Sequence, residues 1–479
     1  MFRLAPILVW TALLVGQSPA PARAIVVIGD LHMGPGRDDS GNWHPYEDFR
    51  WRDEFMAFLD ALDGGIDLVI NGDLFELLQS STVPCAAAGC TPAEALQRLE
   101  SVIKAHGAEL SAIGRFAAAG SNRVHILPGD HDAALLVPAV WRRAAAAFAA
   151  PADRVALVAS GTWVSPDGRV HVEHGHQLPL SADRFSTWPA ITLSVGGRTY
   201  IERPWGEQVI LPLYDRAEPR YPIVDNIAEE GVGAKFVAAA ADPNAPDPAR
   251  LLRFFLTKTT WQQFRMDLDD GEVQAPEWDI SRVRADPGAF MAASLPSDDP
   301  FAKVLKTIAP DILSPVGSQL SDQEIVAICD YRAAIRRARR RMERVLTQLP
   351  GVGAPMAECP RVPHTVGSAF EYYWRSRDRQ VVQHVPAATT LDVIVFGHTH
   401  LLDRPFRPLG DAGVVVVTSG AWQRTIHPNN LEAIDAPLES LPACYPFVQI
   451  AASAGARTAQ PRWWRLNERQ QWTISNGGC

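Results

Sequence analysis

Five short runs rich in Asp and His, in a fixed order, constrain this chain more than any other feature. They are Gly29-Asp30-Leu31-His32, Asn71-Gly72-Asp73, Gly129-Asp130-His131-Asp132, His174-Gly175-His176 and Gly397-His398-Thr399-His400. One such run alone would read as a turn or a helix cap. Here four of the five follow a predicted strand that ends in glycine, and His174-Gly175-His176 directly follows a strand as well. Side chains at strand ends, delivered by tight glycine turns, converge on one point above a sheet. Mixed carboxylate and imidazole donors suit Zn, Mn or Fe better than Mg or Ca, which prefer all-oxygen shells. Together the runs predict a site for two metal ions.

The stretches between the runs read as alternating strands and helices. Ile25 to Ile28 is an apolar strand that delivers Asp30 and His32. Residues 46–62 place Phe49, Phe55, Phe58, Leu59 and Leu62 at helical spacing and end at Gly64-Gly65. Asp67 to Ile70 is the next strand. Thr91-Pro92-Ala93-Glu94 combines an N-cap Thr, a Pro in the first turn and a Glu three residues after the cap. That capping box predicts a helix to about Ala119. Val124 to Leu127 is a strand and 138–150 an Ala-rich helix. Val155 to Ala159, Thr162 to Val164 and Val170 to Glu173 are strands, the last two joined by a turn at Pro166-Asp167-Gly168. This alternation implies a mainly parallel sheet with helices on both faces, the later strands being antiparallel. Leu391 to Phe396 resumes the core and presents His398 and His400, and Val414 to Thr418 adds a strand before Ser419-Gly420-Ala421-Trp422.

The 181–390 segment carries none of these runs. It is richer in Pro and has helical patterns at 226–240, 249–266 and 321–348. Too long for a loop, it is expected to form a mostly helical cap. Within it, 331–346 holds seven arginines around a stripe of Tyr331, Ile335, Ala338, Met342 and Val345, a pattern of a solvated helix face or of a surface for anionic substrate or membrane.

The five runs resemble the calcineurin-like metallophosphoesterase family, whose pattern is Asp-x-His, Gly-Asp, Gly-Asn-His-Asp/Glu, His and Gly-His-x-His. The match covers roughly 25–180 and 391–430, and the order is as specific as the residue types. The resemblance implies an α/β fold (an α+β sandwich) of two mixed sheets flanked by helices, with the metals at the strand ends. The organisation would be a core in two parts, 25–180 and 391–479, interrupted by the cap. One position departs from the family: Asp130 stands where the pattern has Asn. The added negative charge bears on the charge of the metals and on pH behaviour, favouring a more alkaline optimum or a mixed-valence pair, and leaves the fold untouched.

Phosphate ester hydrolysis requires a nucleophile at neutral pH, neutralised phosphoryl oxygens and a proton for the leaving group. Two metals about 3.5–4 Å apart meet the first two needs by activating a bridging water and clamping the substrate. Asp73 is the natural bridge. By the resemblance, Asp30, His32 and His400 complete one metal site, while Asp130, His174 and His398 complete the other. The resemblance assigns His131 to substrate phosphate and leaving group, and Asp132 beside it is a candidate to orient the ring and keep it a proton donor. His176, two residues after His174, is a candidate alternative ligand or support. Arg184 is a candidate phosphate contact. His44, His106, His125, His171, His364, His384 and His427 lack ligand spacing and read as surface or satisfied core residues. The same metals would also serve a hydrolase of nucleotide or lipid pyrophosphate bonds, or a metal-binding module without catalysis. Every ligand position is filled by a metal-competent residue.

Charge and targeting narrow the substrate and the compartment. The chain has 479 residues and a formal charge of −9, which argues against non-specific attraction to nucleic acid and favours a phosphorylated small molecule. Arg3, an apolar run from Leu4 to Val15, and the small-residue site Ala22-Arg23-Ala24 read as a signal peptide over residues 1–24. About a dozen apolar residues are too few for a membrane crossing, which needs about 20. The mature chain is therefore expected to be periplasmic or secreted, with no integral span. Its six cysteines suggest disulfides, with a local Cys85–Cys90 bridge foremost. Nothing in the sequence sets an oligomeric state.

Overall fold

Short apolar runs bounded by glycine become the central strands. A computed structural model describes residues 23–177, 183–204, 391–400, 414–425 and 436–478, apart from Ala87 and Ala454, with a few single positions in 207–221 and at 402 and 405. Strands β1 (Ala24–Ile28), β2 (Ile66–Asn71), β3 (Arg123–Leu127) and β4 (Val155–Leu157) lie parallel and adjacent in that order. On the other side of β1, β11 (Cys444–Ser453) pairs antiparallel, followed by β12 (Ala456–Leu466) and β13 (Trp472–Ser475), completing seven strands. A second sheet has the order β10 (Val415–Thr418), β9 (Val393–Phe396), β6 (Val170–Glu173) and β5 (Thr162–Val164), with only β5 antiparallel.

Strands β1 and β2 are apolar on both faces, so both faces need cover. Helices α1 (Arg52–Ala61), α2 (Pro92–Ala118) and α3 (Pro138–Phe148) cover one, burying Val26, Ile28, Leu68, Ile70, Val124 and Ile126 beneath Phe55, Phe58, Leu99, Ile113 and Phe148. Ile25, Val27, Val69 and Leu127 pack on Val170, Val172, Val393, Val395 and Val417 of the second sheet. The expected sandwich of two mixed sheets is present. The expectation of helices on both faces of the parallel sheet is corrected: valine-rich β6, β9 and β10 present an apolar face that takes the place of helices on one side.

Helix α2 begins at the predicted capping box, where Glu94 N–H donates to Thr91 Oγ1 (3.3 Å) and Thr91 N–H donates to Glu94 Oε2 (2.7 Å). The helix expected over 46–62 starts only at Arg52. The residues before it are held otherwise: the buried Glu47 carboxylate accepts the Gly36 and Phe49 amides at 2.5 and 2.9 Å. Phe49 and Trp51 then enter the core, with Phe49 and Phe55 around Trp422.

A Cys85–Cys90 disulfide is present, and Cys444 is disulfide-bonded too. Past residue 183, the described chain forms a hairpin, β7 (Thr192–Val195) and β8 (Arg198–Ile201), around Gly196-Gly197, and Phe185, Ile191 and Ile201 join the helix-side core. Apart from a few single positions, the rest of the expected cap, including the arginine run and its helical patterns, lies outside the described residues, as do residues 1–22 of the expected signal segment and His364, His384 and His427, whereas Arg23 pairs with Asp67 (2.9 Å) and Ala24 opens β1. Among the described residues no helix is long and apolar enough to cross a membrane.

His106, where α2 kinks, joins the loop to that helix. Its Nε2 lies 3.0 Å from Glu47 Oε2 and its Nδ1 3.3 Å from Glu109 Oε1. Burial opposes a charged ring here, but Glu47 and Glu109 outweigh it and lift His106 to about 9. A folded value above the free value of 6.5 means that the stabilisation is complete below pH 6.5 and is lost as pH rises through about 9. Removing one partner of a buried ion pair costs about 3–5 kcal/mol. His106→Ala should therefore destabilise the protein by about that much at pH 6 and by clearly less at pH 10, as read by denaturant unfolding at the two pH values. An equal loss at both would show that the ring acts through packing alone.

Candidate metal centre

The backbone marks the site before any side chain is considered. Among the described residues seven non-glycines have positive φ, and five of them are Asp30, His32, Asp73, His398 and His400. Left-handed backbone costs a side-chain-bearing residue about 1–3 kcal/mol and persists where surrounding structure enforces it. Here the enforcement is a web of loop hydrogen bonds. Leu31 N–H and His32 N–H both donate to Asp73 O, Asp30 N–H donates to Gly72 O, and Gly397 N–H donates to His174 O (2.7–3.1 Å). Side chains close the web: His398 N–H donates to Asp30 Oδ1 and His131 N–H to Asp73 Oδ1, each at 3.0 Å.

Two groups of donor atoms hold the predicted ligands, each gathered within 4.8 Å: Asp30, His32 and His400 in one, and Asp73, Asp130, His174 and His398 in the other, while a third group, His32, Glu76 and His131, shares His32 with the first. In the first, His32 Nε2 and His400 Nε2 are 3.1 Å apart, with His400 Nε2 3.7 Å from Asp30 Oδ1. In the second, His174 Nε2 lies 2.9 Å from Asp73 Oδ2 and 3.1 Å from Asp130 Oδ1, and His398 Nδ1 lies 3.1 Å from Asp130 Oδ1. Asp73 Oδ2 also lies 3.8 Å from His32 Nε2. One carboxylate oxygen thus faces both groups.

The chemistry of these donors fits a metal. Three buried aspartates converge, and unpaired they would cost several kcal/mol each. Asp30 Oδ2 and His400 Nδ1 are buried without a hydrogen-bond partner. On the side turned away from the donors, three of the four imidazoles face an acceptor, as metal-binding imidazoles require. His174 Nδ1 donates to Asn71 O (2.7 Å), His32 Nδ1 lies 3.5 Å from Glu76 Oε2, and His398 Nε2 lies 3.6 Å from Asp183 Oδ2. These buried His and Asp groups can hold a metal ion.

Charge within the cluster is tightly coupled. Burial, joined by Asp73, lifts Asp30 to about 6 against the pull of nearby imidazoles. Burial would also raise Asp73 and Asp130, yet His174 and His131 near Asp73, and His398 and His174 near Asp130, keep both well below the usual carboxylate range. Burial disfavours a charged His398 ring, but Asp130 outweighs it and raises the ring to about 9.

All seven predicted ligands, Asp30, His32, Asp73, Asp130, His174, His398 and His400, come together in these two groups. Three supporting assignments change. Asp132 does not orient His131: its Oδ1 accepts Gly129 N–H (2.7 Å) and its Oδ2 accepts Leu74 N–H (2.9 Å), so it staples two ligand loops. His131 Nδ1 is hydrogen-bonded to Glu76, which the sequence reading missed, three residues after Asp73. Burial favours a neutral Glu76, but the His131 and His32 rings overcome that and hold it at about 2. His176 is no part of either donor group. It is buried edge-on to Trp188 (4.5 Å) and near Phe185, and burial pushes it down to about 3. Arg184 is exposed and makes no hydrogen bond or ion pair among the described residues. The unassigned histidines have ordinary roles: His44 meets Ser81 Oγ at 2.8 Å, His125 meets Asp67 at 3.4 Å, and His171 is buried near Glu173.

No protein-family model matches the chain, and no curated protein matches it in sequence.

Gly72 shows how little space the ligands leave. It has φ 84°, and a Cβ there would lie 2.2 Å from His174 Nδ1. Gly64 has a similar φ of 94° with nothing within 4 Å of its would-be Cβ. Gly72→Ala should weaken binding of added Zn(II) at least ~10-fold, in the range typical of disturbed ligand support, while Gly64→Ala should leave it unchanged. Calorimetric titration checks this, and equal effects of the two substitutions would contradict the clash.

Proposed function

We propose that this protein is an exported calcineurin-like metallophosphoesterase that hydrolyses phosphate esters of small molecules with two metal ions, Mn, Fe or Zn. The observation that carries the reading is Asp73, whose single carboxylate oxygen faces both donor groups. When bound, two such ions neutralise phosphoryl oxygens and supply a nucleophile at neutral pH. Asp30, His32 and His400 would hold one, Asp130, His174 and His398 the other, with Asp73 shared. The similarity of the five ordered runs to the family pattern supports the phosphoryl substrate. The Cys85–Cys90 disulfide supports export, since oxidising compartments preserve such bridges.

His131 would serve the leaving group. Its Nδ1 is engaged by Glu76, its Nε2 lies 3.8 Å from Asp130 Oδ2 at the edge of the second donor group, and its side chain is 20% exposed where Asp73 and Asp130 are 4% or less. Burial resists a charged ring, but the Glu76 and Asp73 carboxylates raise His131 well above its usual value, which keeps a proton on it at neutral pH. Glu76 fixes the ring, and the His131 Nε2 proton passes to the departing oxygen.

Hydrolysis of a simple aryl phosphate ester should stop on exhaustive chelation and return with added Mn or Zn. Activity persisting in protein shown by elemental analysis to be metal-free would overturn the reading. His131→Ala should retain its metal and lose turnover by about 10²–10⁴-fold, most with poor leaving groups. Equal losses for good and poor leaving groups would leave His131 a phosphate contact only.

A further inference from the structure

Strand β2 runs apolar through Leu68, Val69 and Ile70 and then ends, fully buried, in the polar Asn71. Main chain and side chain of this residue both reach across to the second sheet and meet the same short stretch. The Asn71 main-chain oxygen accepts the His174 Nδ1 proton at 2.7 Å, and its side-chain Nδ2–H donates to Glu173 O at 3.1 Å. Glu173 is the last residue of β6 and directly precedes His174. The other end of the amide, Asn71 Oδ1, is buried without a hydrogen-bond partner. A buried acceptor left unpaired costs free energy, so what the side chain brings to this place is its donor.

His174 is therefore held at three points. Ahead of it Glu173 O is fixed by Asn71 Nδ2, and its own carbonyl oxygen accepts Gly397 N–H at 2.7 Å. Its ring is tied at Nδ1 to Asn71 O, which leaves Nε2 to face Asp73 Oδ2 at 2.9 Å and Asp130 Oδ1 at 3.1 Å. The anchor is itself firmly seated: β2 lies between β1 and β3, with Asn71 paired to Leu127. The turns after β1 and β9 close over its carbonyl, where a Cβ on Gly29 or Gly397 would come within 3.0 or 3.2 Å of Asn71 O. Any residue at this position would present that carbonyl to the ring. Only the side-chain amide holds the peptide from which His174 extends.

We infer that the Asn71 side chain is a positioning residue for the ion held by Asp73, Asp130, His174 and His398: it fixes the Glu173–His174 peptide and with it the aim of His174 Nε2. The inference rests on the two-metal reading. Outer groups that orient a metal ligand are typically worth about 10–100-fold in metal affinity. The ion held by Asp30, His32 and His400 keeps its affinity without this amide, because among the described residues the Asn71 side chain bonds to Glu173 O and to no group of that site.

The test is calorimetric titration of metal-free, full-length protein with Zn(II), comparing wild type, Asn71→Ala and Asn71→Leu, the last of which keeps the side-chain volume and loses the donor. Wild type should bind two ions. Each variant should weaken one of them about 10–100-fold and leave the other unchanged. Two backgrounds identify the ion. With His400→Ala, which cripples the Asp30 group, adding Asn71→Leu should weaken the remaining tight ion by the same factor. With His174→Ala, adding it should change nothing further, because the ring that it aims is gone. Two ions bound with wild-type affinity by both variants, or by Asn71→Leu alone should the alanine variant fail to fold, would overturn the inference. So would equal weakening of both ions, a further loss in the His174→Ala background, or loss of the fold in both variants, each of which makes Asn71 a residue of the fold at large. A wild-type protein that takes up one ion or none overturns the two-metal reading and this inference with it.

Discussion

Three buried carboxylates, Asp30, Asp73 and Asp130, stand within reach of one another under a ring of imidazoles, and the rest of the structure is arranged to tolerate them. Negative charges withdrawn from water repel one another and lose hydration, a combination that persists only when positive charge is supplied at the same place. His174, His398 and His131 supply it as protons, since neighbouring carboxylates raise all three. Metal cations would supply it with the rings neutral. Metal binding in such a site would therefore be coupled to proton release.

Holding this arrangement falls to the parallel strands. Each of β1, β2 and β9 ends in a glycine-containing turn that carries ligands in left-handed backbone, and the loops are cross-tied, Leu31 and His32 to Asp73 and Gly397 to His174. Behind them the aromatic core acts as a stop. Trp422, fully buried and stacked on Tyr445 at 4.3 Å, donates its amide to Gly29 O, and Gln423 Nε2 donates to Leu31 O. Strain in the turns is thus borne by a packed layer on the helix side and by a second sheet on the other. Fold and site are one mechanical unit.

What was legible in the sequence was what is local. An apolar strand, a glycine and an Asp or His occupy consecutive residues, so the seven converging Asp and His residues were readable, as were the capping box of α2 and the Cys85–Cys90 bridge. What escaped was set by contacts across the chain. Glu76 meets His131 over 55 residues, and nothing about Leu74-Phe75-Glu76 announces it. Asp132 was misread because adjacency in sequence suggested contact with His131, whereas its carboxylate turns back to the Gly129 and Leu74 amides. Helix α1 began late because the distant His106 and the loop amides claim Glu47. Strands β11 to β13 gave no alternating pattern, with Pro446 and Pro461 inside them. The β7–β8 hairpin did carry a readable sign, the Gly196-Gly197 turn.

The central claim is that Asp73 joins two metal ions in one site, and electron paramagnetic resonance of the Mn(II)-loaded protein tests it most directly. The account predicts two Mn(II) per chain and a spin-coupled signal that collapses to that of an isolated ion in Asp73→Ala. An uncoupled six-line signal from wild-type protein, with one ion per chain or two that do not interact, would contradict it.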